Sequence, residues 1–73
     1  MTPTPVLLVV ACEAADVDEL TALLWTHRPT GVLERETPDG PAVVAGFLDR
    51  GAALLASEDL DFRFTFEIIE APE

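Results

Sequence analysis

His27, Ser57 and Cys12 are the one histidine, one serine and one cysteine of this chain, which has no lysine, tyrosine, asparagine or glutamine. A nucleophile with its base would need His27 to converge with Ser57 or Cys12 from separate elements. Each of the three has a simpler place. His27 suits the negative end of a helix, Ser57 a hydroxyl late in a helix or in the loop after it, and Cys12 a small hydrophobe at a strand end. Carboxylates cluster twice, at Glu34, Glu36 and Asp39 and again at Glu58, Asp59 and Asp61. Glu34 and Glu36 lie two apart, so on a strand they share a face and could offer two carboxylates to a hard cation. Neither cluster carries the glycine-centred spacing of a calcium loop, and solvated edge charge accounts for both. With no GxGxxG, no phosphate loop and no paired cysteines, the residues predict no catalytic, metal or cofactor site and point to recognition instead.

The elements that must position these groups follow from periodicity and turn chemistry. Residues 1–5, with two prolines and two threonines, read as a loose arm. Val6 to Ala11 is apolar at every position, which suits a strand covered on both faces and therefore central in its sheet. Asp16 with Glu19 three positions on is an acidic variant of the capping box, and Val17, Leu20, Leu23, Leu24 and His27 recur at helical spacing. Pro29 followed by Thr30 and Gly31 stops that helix, with His27 and Arg28 at its negative end.

Gly31 then opens a charged strand through Thr37, and Pro38-Asp39-Gly40-Pro41 turns the chain into a second apolar strand over residues 42–48. Proline presets φ and glycine takes the positive φ, so this is a hairpin with a charged edge strand and an apolar central one. Asp49 caps a short helix around Ala52, Ala53, Leu54, Leu55 and Ala56. Phe62, Phe64, Phe66 and Ile68 alternate with Arg63, Thr65, Glu67 and Ile69, a period of two that predicts a strand with its phenylalanines facing the core. The order is βαββαβ, which predicts an α+β, ferredoxin-like two-layer sandwich: an antiparallel sheet of order 4-1-3-2 with both helices on one face. Either Leu7, Val9 and Ala11 or Val6, Leu8 and Val10 is then left uncovered, together with one face of residues 43–47. Such a patch calls for a partner, a homodimer or a neighbouring domain.

Composition bounds the class. Seventy-three residues make one domain near the lower end of what folds on its core alone, and 49% hydrophobic residues exclude a disordered chain. Fourteen acids against four arginines give a net charge of −10, which argues against nucleic acid and against anionic membrane surfaces. A basic protein would be attracted, although net charge informs solubility before it informs partners. One cysteine makes no internal disulfide, so the cytoplasm is the expected compartment. Residues 9–12 look superficially like a lipoprotein cleavage box, but the apolar run before them is too short for a signal segment and no positive charge precedes it. Trp25 sits on the shoulder of the first helix; tryptophan is enriched at recognition hot spots, while a ring half-buried at a helix end is the commoner arrangement.

The run Leu23-Leu24-Trp25, the connection to Thr30-Gly31-Val32, then Glu34-Arg35-Glu36 and Val43-Val44-Ala45-Gly46-Phe47 resembles the N-terminal domain of the ribosomal-protein L-eleven methyltransferase family. The resemblance implies a small ferredoxin-like domain that recognises a ribosomal protein and positions it for a separate, S-adenosylmethionine-binding catalytic domain. Gly31 matches the glycine that begins the family's second strand and Glu34 the acid that follows it. Trp25, Gly31, Glu34 and Glu36 are therefore the candidate partner-binding or structural residues. The chain departs from the family at Arg28-Pro29, where members often close the first helix with glycine. It matches none of the glycine-rich cofactor loop, so S-adenosylmethionine and methyl transfer belong to the absent catalytic half. Residues 71–73 fall where the family's linker would begin, which implies a domain taken from a longer protein. Two other readings stand beside this one. One is a regulatory small-molecule module, with its site in the loops Cys12 to Ala15 and Thr30-Gly31. The other is a structural domain that self-associates through its open sheet face.

Overall fold

The computed structural model describes residues 4–60 and 64–71. Asp61, Phe62 and Arg63, residues 1–3 of the expected arm and residues 72–73 at the expected linker lie outside the described residues. The strands are β1 (Val6–Ala11), β2 (Gly31–Thr37), β3 (Gly40–Phe47) and β4 (Thr65–Glu70), and the helices are α1 (Val17–Trp25) and α2 (Arg50–Glu58). They form one antiparallel sheet of order β2-β3-β1-β4, an α+β arrangement compatible with a ferredoxin-like layout.

The two uniformly apolar runs are the central strands, as their composition requires. Val6, Leu8 and Val10 of β1 stand opposite Phe47, Ala45 and Val43 of β3, and all six are buried. Leu20 and Leu24 of α1 and Ala53 and Ala56 of α2 close the same cluster, so both helices cover this one face. Burial of a leucine or phenylalanine side chain contributes roughly 1.5–3 kcal/mol, and such residues carry most of the stability of so small a domain. Alanine at 53 and 56, three apart on α2, lets that helix lie close against the sheet.

The local signals hold at some ends and fail at others. Asp49 has extended backbone, and its Oδ1 accepts from the Ala52 amide at 2.8 Å, capping α2. In the β2–β3 hairpin Gly40 takes φ +121°, and Thr37 Oγ1 donates to the Gly40 carbonyl at 2.7 Å. At α1 the Asp16 half of the expected capping box is not made. A one-turn 3-10 helix over Ala14–Asp16 precedes α1 and puts Asp16 in helical backbone, where its side chain makes no cap hydrogen bond. His27 is not a helical residue either: α1 ends at Trp25, and the Leu24 and Trp25 carbonyls accept from the His27 and Arg28 amides. Arg28 turns the chain with φ 55°, where glycine is at home, and Pro29 behind it is buried.

Two strand expectations also need correction. β3 ends at Phe47, leaving Leu48 exposed outside it. The phenylalanines of the last strand are not all buried: Phe64 packs partly against the core, whereas Phe66, on the helix side as the alternation requires because it pairs with Val10, is 45% exposed. β4 is an edge strand, and the helical layer covers Ile68 in part but leaves Phe66 open.

Candidate functional site

The register assigns every strand residue to one face or the other. Leu7, Val9 and Ala11 of β1 stand opposite Gly46, Val44 and Ala42 of β3, on the face that no helix covers. Leu33 and Arg35 of β2 join them beside Val44 and Ala42, and Thr65, Glu67 and Ile69 of β4 join them beside Ala11, Val9 and Leu7. The result is an apolar field running across all four strands. Its middle is less open than the central strands alone suggest, because neighbouring side chains already shield Ala42 and Val44 to 2% and 5% exposure. The openness sits at the edges, with Leu33 58% and Ile69 37% exposed on opposite margins.

At the hairpin end the face dips into an open concavity of about 460 Å³, with Val9, Ala11 and Ala42 in its floor and Thr37, Asp39 and Glu67 at its rim. The charge of the sheet is distributed unevenly. Among the described residues, Arg35 and Glu67 are the two charged strand residues on the open face, whereas Glu34, Glu36 and Glu70 pair with Val43, Pro41 and Val6 and therefore lie on the helix side.

The four candidate residues do not converge. Trp25 is 52% exposed at the end of α1 on the helical layer, while Gly31, Glu34 and Glu36 lie on the β2 edge. Glu34 and Glu36 share a face as expected, both exposed. Among the described residues no group of three or more His, Cys, Asp or Glu is placed to hold a metal ion. Gly31 has open space where a Cβ would stand and an ordinary φ, so local geometry does not demand glycine there. Gly46 is the sterically required glycine of that row, since a Cβ would come 2.5 Å from Thr30 Oγ1.

The groups with chemical potential are engaged separately. His27 Nε2 lies 2.6 Å from Asp59 Oδ2, tying the end of α1 to the end of α2 across 32 residues of sequence. Ser57 donates its hydroxyl to the Leu54 carbonyl at 2.7 Å rather than to His27. Cys12 is a free thiol directed at the Pro41 carbonyl, and burial, then the charges of Asp16 and Glu34, push its pKa up. A thiol so placed is held protonated, the opposite of what a nucleophile needs. Among the described residues every buried side-chain nitrogen or oxygen has a hydrogen-bond partner.

The two strand-to-helix connections, residues 12–13 and 48–49, contain no glycine, and the four glycines are spread over β2, β3 and α2. The small hollow at the first connection is walled by Cys12, Glu13, Asp16 and Phe64. Among the described residues no helix is long and apolar enough to cross a membrane. Comparison with protein-family models and with curated proteins finds no match to this chain.

Proposed function

We propose that this chain is a protein-recognition domain of ferredoxin-like type whose working surface is the helix-free face of its sheet. The observation that supports it is the apolar field of Leu7, Val9, Leu33, Val44 and Ile69, continuous across four strands and left open by the chain's own helices. In its specific form the reading takes up the resemblance set out above. The domain holds a ribosomal protein in the cytoplasm and presents it to a separate S-adenosylmethionine-dependent methyltransferase domain. The net charge of −10 suits a basic substrate, drawing it in over distances where apolar contact has not begun.

Titration of the labelled chain with that ribosomal protein at low salt is the test. Amide shifts concentrated at Leu7, Val9, Leu33 and Ile69 are the expected result. Absence of binding at low salt, where charge attraction is greatest, counts against the named partner. Shifts confined to Trp25 and the helical layer would place the working surface on the wrong side of the domain.

A further inference from the structure

The open face is complementary to itself. It carries one cation on the β2 margin, Arg35, and one carboxylate on the β4 margin, Glu67, with apolar residues between them. Turning a second copy about a two-fold axis parallel to the strands lays the β2 of each copy over the β4 of the other, in the aligned packing usual for stacked sheets. Leu33 of one copy then stands in the row of Glu67 of the other, with Ile69 one row further along, and Leu33 and Ile69 are the most exposed large apolar residues of the face. Arg35 comes one row from Glu67 of the facing copy, about 7 Å along the strand and within reach of a guanidinium. The relation is reciprocal, so two such pairs form. Repulsion between two chains of −10 opposes any association, but the face brings only one opposite pair of strand charges per copy to the contact, with Glu34, Glu36 and Glu70 turned away.

We infer that, until another protein takes it, the open face is covered by a second copy of this chain, packed face to face so that Arg35 of each copy meets Glu67 of the other. The inference rests on the reading of that face as the working surface, and it makes self-pairing a competitor of partner binding. Four strands and six residues give a face of roughly 19 by 20 Å, or about 400 Å² per copy, which is below the roughly 1,200 Å² in total of a standard specific interface. The dimer is therefore weak, with a dissociation constant on the order of 10–100 µM. Higher salt strengthens it by screening the net charge.

Sedimentation of the full chain up to 1 mM, at 0.05 M and 0.5 M salt, tests this. Concentration-dependent dimers, tighter at high salt, are expected. At 0.5 M salt, R35E and E67R each weaken the dimer roughly tenfold, and R35E combined with E67R restores it, because the opposite charges meet again. E58R, which changes the net charge as E67R does but stands exposed at the end of α2, leaves the dimer as tight or tighter. A chain monomeric at 1 mM in both salts overturns the inference, and so does a dimer indifferent to R35E and E67R. The two readings separate cleanly. A dimer that ignores the ribosomal protein supports the self-pairing and removes only the named partner, whereas a strict monomer that binds it does the reverse.

Discussion

Arg28 occupies the left-handed region at φ 55°, immediately after α1 and before the buried Pro29. A residue with a Cβ held there costs about 1–2 kcal/mol relative to right-handed backbone, and glycine escapes that cost at the expense of about 0.5–1 kcal/mol of unfolded-chain entropy. Removing the side chain also removes a cation from the negative end of α1, a loss of about 0.3–1 kcal/mol at low salt. The informative comparison is therefore between two variants that both lack the charge. Arg28→Ala keeps the Cβ and the strain; Arg28→Gly relieves it. The glycine variant is expected to be more stable than the alanine variant by about 0.5–1 kcal/mol. In urea unfolding, with a slope near 1 kcal/mol per molar for so small a domain, that is a midpoint difference of about 0.5–1 M. Equal midpoints, or a lower one for glycine, would show that the connection does not hold this conformation in solution. The same comparison bears on the resemblance, because glycine is what the family often places at the end of this helix.

The other predictions concern single contacts. Asp49→Ala removes the acceptor for the Ala52 amide and is expected to cost about 1 kcal/mol, read from the same unfolding curves. Gly46→Ala drives a methyl against Thr30 Oγ1 and should destabilise by about 1 kcal/mol in thermal melts, with most of the loss recovered in a Thr30→Ala background. Cys12 should react with iodoacetamide more slowly than a free thiol at pH 8, its rate rising only at higher pH; a profile at or below that of a model thiol refutes the raised pKa. The folded state keeps that proton longer than the unfolded state does. Its contribution to stability is therefore intact below the ordinary thiol pKa and is lost as pH rises through the folded one.

How much of this is legible in the amino-acid sequence depends on how local each cause is. The Pro38-Asp39 turn and the Asp49 cap are written in residues within four positions of one another, and both form, although Gly40 and Pro41, read as part of the turn, already belong to β3. The unbroken apolar runs place β1 and β3 at the centre, because only a strand flanked on both sides tolerates them. Asp16 misleads because the two alanines before it begin a 3-10 turn that puts it in helical backbone, where its side chain makes no cap hydrogen bond. Phe66 misleads for another reason: alternation names the face a residue points to, not how far the opposite layer extends over it. The link between His27 and Asp59 joins two helix ends 32 residues apart, and no periodicity within either segment marks it. Arg28 is a mixed case, since the missing glycine is visible in the sequence and the backbone takes the glycine conformation anyway.

The open face gives a strongly acidic chain a largely apolar surface. Fourteen acids in 73 residues would ordinarily leave no surface free of repulsion. The alternation of β2, Leu33 and Arg35 outward against Glu34 and Glu36 toward the helices, sends its carboxylates to one side and its apolar and cationic groups to the other. β4 is divided, with Glu67 on the open face and Glu70 on the helix side. A shift of one residue in β2 would exchange its sets and put Glu34 beside Val44. Register, and not composition, is therefore what gives the face its character. The sorting of β2 is what the proposed surface requires, because it keeps Glu34 and Glu36 off the face that a partner would cover.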